Sequence, residues 1–567
     1  MGWTLIAVSK DEHVVECVAS SQVIMKTGIL RSWRAFVEGL DGWRTRATWS
    51  REDVRGFVGP ALATLATFVV PVYVFLLFND GMRHSGGWGD EGYFVWCGWS
   101  LAKGLVPYRD FMEFKPPFVF LTYALALKLY GVDGFAYRSF FTYFPLLSIL
   151  ALQASLLSRR IDKALGMGLS LALIHLWVTH AFHDSALSDT ESIGLAYYFL
   201  GTAFLFASTR FPAAAQGIGT ALLICCTQSK DPFLPCVVIT WAACFLASER
   251  TGTLRDDAIR YLKRSMVGGA VVVLGLLFYM LPTGALRAYV HMVERYAVIY
   301  RDPVQSFCVA GGVFKPTTPF NDLLRQAHAL VNDYANLATM GFLLPFAAAV
   351  ALFARRRSLA LIGTGLLALL MSVLAVAASN CPWKHYDNML LGGLFFLLAI
   401  GLDLMAAQFR TLPSATRWLI RIAMLTGIVA AIWPRIDAER AVYGTRTSPP
   451  TMTEPAPGVF DLIRKYTTPA DRIVTNGNPI LYVQVDRLAG VRESNFLDPI
   501  LGYYVGDTDE QKLRPVYEEL MRSRPKIVVL DPGFAGARGR HHRALWAPFL
   551  ADNHYRQLTD SVYLRPD

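Results

Sequence analysis

The sequence predicts a polytopic α-helical membrane protein with about eleven transmembrane helices, followed by a C-terminal α/β domain. Of its 567 residues, 53% are hydrophobic and only 17% are charged, whereas soluble proteins average about 25% charged residues. Apolar runs long enough to cross a hydrocarbon core, which takes about 20 residues, recur between residues 57 and 433. From Pro434 onward the composition becomes that of a soluble domain. These observations divide the chain into 1–56, 57–433 and 434–567.

The first division, residues 1–56, lacks the apolar core and small-residue cleavage site of a secretory signal. Apolar residues recur at helical spacing between Ile29 and Leu40, beside basic residues such as Arg31 and Arg34. This pattern predicts a cytoplasmic segment whose amphipathic helix lies on the membrane surface. An ordinary packing helix fits the pattern equally well.

The second division contains the predicted membrane spans and two long outer loops, 79–138 and 283–337. The apolar run Phe118–Tyr130 is too short to span comfortably and includes Lys128, so we place it on the outer surface as a juxtamembrane helix. The predicted spans, by residue number, are 57–78, 139–157, 164–182, 192–208, 214–228, 232–248, 265–282, 338–354, 359–378, 389–407 and 417–433.

Lysine and arginine residues set the predicted orientation of these spans, because short cytoplasmic loops accumulate them. The candidate inner loops hold fifteen such residues, and the three short outer loops hold two, Lys230 and Lys384. The count predicts a cytoplasmic N-terminus and an extracytoplasmic C-terminal domain. It also places Asp90, Asp189 and Lys384 together on the outer side of the membrane.

Charge, cysteines and glycine motifs limit the partners and cofactors that the sequence predicts. The net charge of +10 is dispersed along the chain, so no nucleic acid partner is predicted. The eight cysteines form no CxxC pair or metal-ligand spacing. The sequence also lacks a Walker loop and a dinucleotide-binding glycine fingerprint. We therefore predict no cofactor and no metal site, while a divalent metal is left open.

The first outer loop carries the stretch from which the site prediction starts, Gly89–Pro117, which reads GDEGYFVWCGWSLAKGLVPYRDFMEFKPP. Asp90 and Glu91 form an adjacent carboxylate pair just past the first span. Two carboxylates at a low-dielectric boundary repel each other and lose hydration, which makes one of them a candidate general base. A helix N-terminus, which favours acidic residues, explains the same pair.

This loop resembles the first extracytoplasmic loop of the GT-C glycosyltransferases, in the order DE, an aromatic-rich helix, G-x-x-P-Y-x-D and K-P-P. The family includes the protein O-mannosyltransferases and the bacterial aminoarabinose transferase of lipid A. The resemblance implies a GT-C fold, a polyprenyl-phosphate sugar as donor, Asp90 as the catalytic base and Lys115 as a ligand of the donor phosphate. In this interpretation Glu91 strengthens Asp90 as a base by like-charge repulsion.

A second outer loop, which reads HDSALSDTE at 183–191, carries the next acidic residues. GT-C enzymes place a second acidic residue in this loop, and the resemblance assigns that catalytic role to Asp189. Glu191 would then bind substrate hydroxyls. Asp189 and Glu191 are two residues apart and do not share a helix face. The alternative therefore stays open that one residue of this loop caps the following helix while the other acid faces the site.

Basic residues on the outer side are the candidates for binding a lipid phosphate, whose oxygens need cations or donors. Lys384, His385 and Tyr386 belong to CPWKHY, which resembles the K/R-H-Y segment around the donor phosphate in GT-C relatives. Lys115 and Lys230 complete the predicted substrate-binding set. Lysines that snorkel at helix ends are the ordinary alternative.

The C-terminal division is predicted to be a mixed α/β domain. We predict helices at 458–466 and 509–523, and strands near 472–476, 526–531 and 562–565. The run ADRIVTNGNPILYVQVDRLAGVR resembles the extracytoplasmic C-terminal domain of bacterial GT-C enzymes. That resemblance brings no catalytic residue with it, so a cap or an acceptor-docking domain is the preferred interpretation.

The sequence and the resemblance together predict an inverting transferase. It would move a sugar from a polyprenyl-phosphate donor to a hydroxyl of a glycolipid, polysaccharide or protein. A lipid-linked glycan transporter or a non-catalytic GT-C-like scaffold is the alternative, and it predicts polar groups buried at mid-membrane. A metal-dependent relative of the oligosaccharyltransferases is a third hypothesis.

Overall fold

The computed structural model of the chain describes residues 51–83, 90–113, 115–132, 136–159, 161–183, 189–208, 213–248, 252–301, 356–377, 388–443, 457–492, 510–530 and 540–566. Three features predicted above lie outside these residues. They are the amphipathic helix of residues 1–56, the span at 338–354, and the site residues Lys384, His385 and Tyr386.

Up to residue 443 the described residues are almost entirely helical. A 3₁₀ turn, Asp231–Phe233, leads into the eighth helix. The helices in chain order are α1 (Arg51–Arg83), α2 (Asp90–Ala102), α3 (Pro117–Tyr130), α4 (Arg138–Ser158), α5 (Lys163–His183), α6 (Thr190–Ser208), α7 (Ala213–Thr227), α8 (Leu234–Ala247), α9 (Leu254–Thr283), α10 (Ala285–Arg301), α11 (Arg356–Ala377), α12 (Asn388–Thr411) and α13 (Ser414–Tyr443).

Every predicted span within the described residues coincides with one of these helices. Six helical stretches in that part of the chain are long and apolar enough to cross a membrane. The number of helices that do cross therefore stays a prediction, because α3, α7 and parts of α5 and α8 are apolar but shorter. The six stretches are Gly59–Leu77, Arg138–Ser158, Leu254–Thr283, Leu359–Val376, Asn388–Ala406 and Ser414–Pro434.

Helix α9 begins eleven residues before its predicted span, which starts at residue 265. It begins at Leu254 because Thr253 caps its first turn, where the threonine hydroxyl accepts a hydrogen bond from the Asp256 amide at 3.2 Å. Its first turns are helical but charged, so they fall outside the apolar run from which the span was predicted. Gly284, with a φ of 75°, ends α9, and α10 follows at once. The predicted outer loop at 283–337 thus starts as a helix.

Helices α7 and α9 cross at two glycines. A Cβ atom on Gly268 would lie 1.9 Å from the carbonyl oxygen of Gly217. Any larger side chain would force the two backbones apart, which is why small residues mark close crossings of membrane helices. The crossing joins α7 and α9, the helices that precede and follow α8 in the chain.

The C-terminal domain is a five-stranded sheet with helices, in the strand order β2-β1-β3-β5-β4. Strand β1 lies between β2 and β3 and runs parallel to both, whereas β5 is antiparallel to β3 and β4. The elements are α14 (Val459–Tyr466), β1 (Arg472–Thr475), α15 (Ile480–Val485), β2 (Leu488–Ala489), α16 (Glu510–Ser523), β3 (Ile527–Val529), α17 (Arg540–Asp552), β4 (Arg556–Gln557) and β5 (Val562–Leu564).

The predicted strands and helices of this domain occur close to their expected positions, with slightly shorter strands. The sequence analysis missed α15, β2, α17 and β4. β2, β4 and α15 are too short to produce a periodic pattern, and Pro548 inside α17 disfavours a helix prediction there.

The C-terminal domain packs directly on α2, and the two share one hydrophobic core. The rings of Trp96 in α2 and Tyr482 in α15 lie 5.9 Å apart between centroids. The backbone of Met112, after α2, donates to the Arg492 carbonyl at 2.9 Å. The domain and α2 therefore lie at the same end of the helical bundle.

Candidate active site

Helix α2 begins with the predicted carboxylate pair, and the two side chains have opposite surroundings. Asp90 is exposed at the first residue of the helix. Glu91 is buried and accepts two hydrogen bonds from the Arg138 guanidinium, at 2.8 and 2.7 Å. It also accepts one from the Tyr137 hydroxyl at 3.0 Å. Glu91 thus joins α2 to the start of α4.

This arrangement changes the interpretation of Glu91. The sequence predicts that its charge acts on Asp90 by like-charge repulsion. In the structure the bidentate Arg138 offsets that charge, because an opposite charge at hydrogen-bond distance outweighs a more distant like charge. The geometry therefore gives Glu91 a positioning role instead, and it leaves Asp90 as the exposed carboxylate of the pair.

The G-x-x-P-Y-x-D and K-P-P motifs form a compact turn between α2 and α3. Gly104 and Tyr108 have φ values of 87° and 66°, in the left-handed region. The Asp110 carboxylate accepts a hydrogen bond from the Val106 amide at 2.8 Å and closes the turn. Tyr108 then donates its hydroxyl to the Lys115 carbonyl at 2.7 Å. The motif residues fix the backbone that carries Lys115.

Lys115 is buried among charged side chains. Its backbone amide donates to a Glu113 carboxylate oxygen at 3.2 Å. Burial lowers the pKa of Lys115 and the nearby Lys230 lowers it further, while Glu191, Glu113 and Asp90 act in the opposite direction. The residues predicted from three separate segments therefore lie within electrostatic reach of one another.

Lys230 and Glu191 form a buried ion pair within this cluster. Lys230 precedes the 3₁₀ turn before α8, and Glu191 lies in the first turn of α6. The Thr190 hydroxyl donates to the other Glu191 oxygen at 2.8 Å. Both side chains are too buried to snorkel to a membrane surface, which disfavours the ordinary interpretation of Lys230.

Asp189 caps helix α6. Its carboxylate accepts a hydrogen bond from the Ser192 amide at 2.5 Å, as an N-cap residue does. The structure thus favours the alternative in which Asp189 caps the helix and Glu191 faces the site. The catalytic role of Asp189 stays a prediction.

Helix α12 starts beside the same helix end. Asn388, its first residue, donates its side-chain amide to the Ser192 hydroxyl at 3.2 Å. Ser192 directly follows Glu191. The K-H-Y segment therefore leads into a helix that begins next to the charged cluster.

Sequence reasoning missed several residues of this site. Glu113 stands inside the quoted MEFKPP stretch and could have been found there as a buried acid beside Lys115. Tyr108 is part of the P-Y motif, and its raised pKa, caused first by burial, keeps the hydroxyl protonated as a donor. Arg138 carries no local signal, because it is separated from Glu91 by 47 positions.

Within the described part of the chain, no group of three His, Cys, Asp or Glu side chains is placed to hold a metal ion. The acids of the site are instead beside lysines or arginine: Glu91 with Arg138, and Glu191 with Lys230.

No family model and no curated protein matches the chain. Solved structures similar to it include ArnT from Cupriavidus metallidurans bound to undecaprenyl phosphate, at 15% identity and a TM-score of 0.45, covering 89% of this chain and 98% of that one. Another is the Archaeoglobus fulgidus oligosaccharyltransferase with zinc and sulfate, at 12% identity, a TM-score of 0.44, and coverage of 86% and 71%.

A third is the oligosaccharyltransferase AglB from Archaeoglobus fulgidus with an inhibitory peptide and a dolichol-phosphate. It has 12% identity and a TM-score of 0.41, with coverage of 89% and 74%. Likeness at this level concerns the course of the chain and assigns no residue and no substrate.

Proposed function

We propose that the chain is an inverting membrane glycosyltransferase that uses a polyprenyl-phosphate sugar as donor and a hydroxyl as acceptor. One observation carries the proposal. Asp90 is an exposed carboxylate at the start of α2 and lies within electrostatic reach of the buried Lys115, as do Lys230 and its ion-pair partner Glu191. A candidate base and candidate phosphate ligands from distant segments thus meet at one end of the bundle.

The two lysines suit a phosphate. Burying ammonium groups together is costly unless anions accompany them. A phosphate beside Lys115 and Lys230 would supply negative charge and acceptor oxygens to both. Lys384 lies four positions before Asn388, no more than about 14 Å of extended chain away. Lys384, His385 and Tyr386 stay predicted ligands of the same phosphate.

The reaction assigned to this site is a single displacement. The acceptor oxygen attacks the anomeric carbon of the donor sugar while Asp90 takes its proton. The bond from that carbon to the phosphate oxygen breaks, and its electron pair leaves with the polyprenyl phosphate. The lysines stabilise the charge that develops on the departing phosphate. Attack opposite the leaving group inverts the anomeric carbon, and no second acid is required.

The other acids hold this arrangement in place. Glu191 orients Lys230 through their ion pair, and Glu113 accepts a hydrogen bond from the Lys115 amide. Bound donor would change the partners of both lysines. Glu191 and Glu113 would then be able to accept hydrogen bonds from sugar hydroxyls.

A transport assay and a transfer assay separate this proposal from its alternatives. Purified protein is incubated with a panel of polyprenyl-phosphate sugars and candidate acceptors, and released polyprenyl phosphate is quantified by chromatography. We expect release with at least one donor, and loss of release in Asp90→Asn. Movement of the intact lipid glycan across vesicles without release would identify a transporter. Loss of activity with chelator, restored by added metal, would identify a metal-dependent enzyme.

We further propose that the site faces outward in a bacterial inner membrane, with the N-terminus in the cytoplasm. The arginine and lysine count of the loops supports this orientation. Cysteines introduced at Gly86 and Arg540 should both react with a membrane-impermeant reagent applied from outside. Labelling of only one of them would contradict the proposed site, because that site requires α2 and the C-terminal domain on the same side of the membrane.

A further inference from the structure

Helix α2 and the segment Asn478–Asp486 of the C-terminal domain lie side by side along their length. Gly92 lies against Asn478, Trp96 packs on Tyr482, and the Lys103 ammonium contacts the Asp486 carboxylate at 2.7 Å. The contacting residues recur every four positions in the segment, as on one face of a helix. The two segments therefore run in the same direction, with Asn478 beside the end of α2 that carries Asp90.

The contact at Gly92 leaves no space for a side chain. A Cβ atom there would lie 2.4 Å from Asn478 Oδ1, 2.8 Å from Nδ2 and 2.9 Å from Cγ. Gly92 is not in a backbone conformation that requires glycine, since it lies within the regular helix α2. The close approach of Asn478 is therefore the reason that this position is suited to glycine.

Asn478 is itself held by the first turn of α15, which is tied to the sheet. Its Oδ1 atom accepts a hydrogen bond from the Ile480 amide at 3.0 Å. The Tyr482 hydroxyl accepts one from the Thr475 amide at 3.0 Å, which ties α15 back to the end of β1. Strand β1 is the central parallel strand between β2 and β3. The position of Asn478 thus follows from the core of the domain and not from a mobile surface turn.

From these contacts we infer that Asn478 is a positioning residue for the base Asp90. The C-terminal domain contacts the first turn of α2 through Asn478, and the Glu91–Arg138 pair joins that turn to α4. This inference rests on the proposed function, and it gives the C-terminal domain a part in the reaction beyond that of a cap. A base displaced by about 1 Å loses up to about a hundredfold in rate.

A double-mutant cycle in the full-length protein tests the inference. Gly92→Ala forces the Asn478 amide away and should lower kcat by about tenfold to a hundredfold. Asn478→Ala removes every atom of that clash and should lower kcat less. In the double variant the alanine at 92 should cause no additional loss, so the effects are non-additive. The donor KM should remain unchanged throughout, because the phosphate ligands lie elsewhere.

Gly98→Ala is the matched control. It lies in the same helix, and its Cβ atom would meet Tyr123 of α3 at 2.4 Å, on the side away from the C-terminal domain. Asn478→Ala should not rescue this variant. Equal rescue of Gly98→Ala and Gly92→Ala, or strictly additive losses at 92 and 478, would overturn the inference.

A labelling experiment measures the same positioning without turnover. In an Asp90→Cys background, the rate at which a thiol reagent modifies position 90 is followed by mass spectrometry of its peptide. Gly92→Ala should change that rate several-fold, and adding Asn478→Ala should restore it. Equal rates in all three backgrounds would refute the positioning role. Wild-type protein that transfers no sugar would refute the proposed function alone, since the labelling does not depend on transfer.

Discussion

The helical bundle carries buried or half-buried charges at both of its ends, and the two ends arrange them differently. At the end where α4 finishes and α5 begins, Arg159 contacts Asp403 at 2.6 Å and Arg421 contacts Asp162 at 2.5 Å. Each arginine there contacts its own aspartate through two hydrogen bonds. Such pairs lock helices together and favour no further anion.

At the opposite end, two lysines and several acids share one cluster. Burial lowers the pKa of Lys115, and the nearby Lys230 lowers it further. An added anion would relieve this repulsion. At the other end, which we call the paired end because each arginine there has its own aspartate, there is no such repulsion to relieve. The difference separates charges that stabilise the fold from charges arranged to receive a ligand, and the following variants test that separation.

The largest effect is expected from Asp90→Asn. The change keeps the shape of the side chain and removes its basicity, so turnover should fall by about 10² to 10⁴, the usual contribution of a general base. A single-turnover assay with saturating donor and acceptor isolates this step. Asp461→Asn, at a carboxylate that is 88% exposed on α14, is the control and should behave as wild type. Near-normal turnover of Asp90→Asn would move the base elsewhere, with Asp189→Asn as the next variant to measure.

Glu91→Gln should act mainly on stability. It leaves the Arg138 guanidinium buried without its counter-charge, and breaking such a pair costs about 3 to 5 kcal/mol. Thermal unfolding in detergent should show a large decrease in Tm, with turnover per folded molecule reduced far less than in Asp90→Asn. The double variant Glu91→Gln, Arg138→Met should recover part of the loss. An unchanged Tm with abolished turnover would instead make Glu91 catalytic.

Lys115→Met should weaken the binding of the donor. A hydrogen bond to a charged group is worth about 1.5 to 3 kcal/mol, or about tenfold to a hundredfold in affinity. Donor titration of the purified variant measures the change, and Lys128→Met, an exposed lysine on α3, is the control. A donor affinity equal in both variants would make Lys115 a structural residue like those at the paired end.

The lowered pKa of Lys115 gives a smaller, pH-dependent effect. Only the charged form binds phosphate well, and in the free protein that form is lost at a lower pH than in an ordinary lysine. Donor affinity should therefore fall as pH rises through this lowered pKa. Lys115→Arg should bind with a flatter alkaline profile, because a guanidinium stays charged throughout. Parallel profiles for the two proteins would exclude Lys115 as the titrating group.

The smallest effect on activity is expected at the paired end. Asp403→Asn weakens its contact with Arg159 and should lower stability by about 1.5 to 3 kcal/mol, the worth of a charge-assisted hydrogen bond. Turnover per folded molecule and donor affinity should stay at the wild-type level. A loss of donor affinity comparable with that of Lys115→Met would mean that the two ends are functionally coupled.

Much of the candidate site could be read from local motifs, although not its internal partners. Asp90, Lys115 and Glu191 were identified from short patterns, and the structure brings them into one cluster with Lys230. The pairing of Glu91 with Arg138 could not be predicted, because Arg138 lies on another helix. The cap at Asp189 was an open alternative, since its sequence context fits a cap and a ligand equally well.

The sequence by itself determined the helical bundle, the α/β character of the C-terminal division and the candidate residues of the first outer loop. Apolar run length, turn glycines and short motifs encode these features locally. Tertiary structure alone decided that Glu91 pairs with Arg138, that Lys230 pairs with Glu191 and that Asn478 lies against Gly92. Such contacts join positions far apart in the chain, and they arise from how helices and sheet pack, which no local pattern specifies.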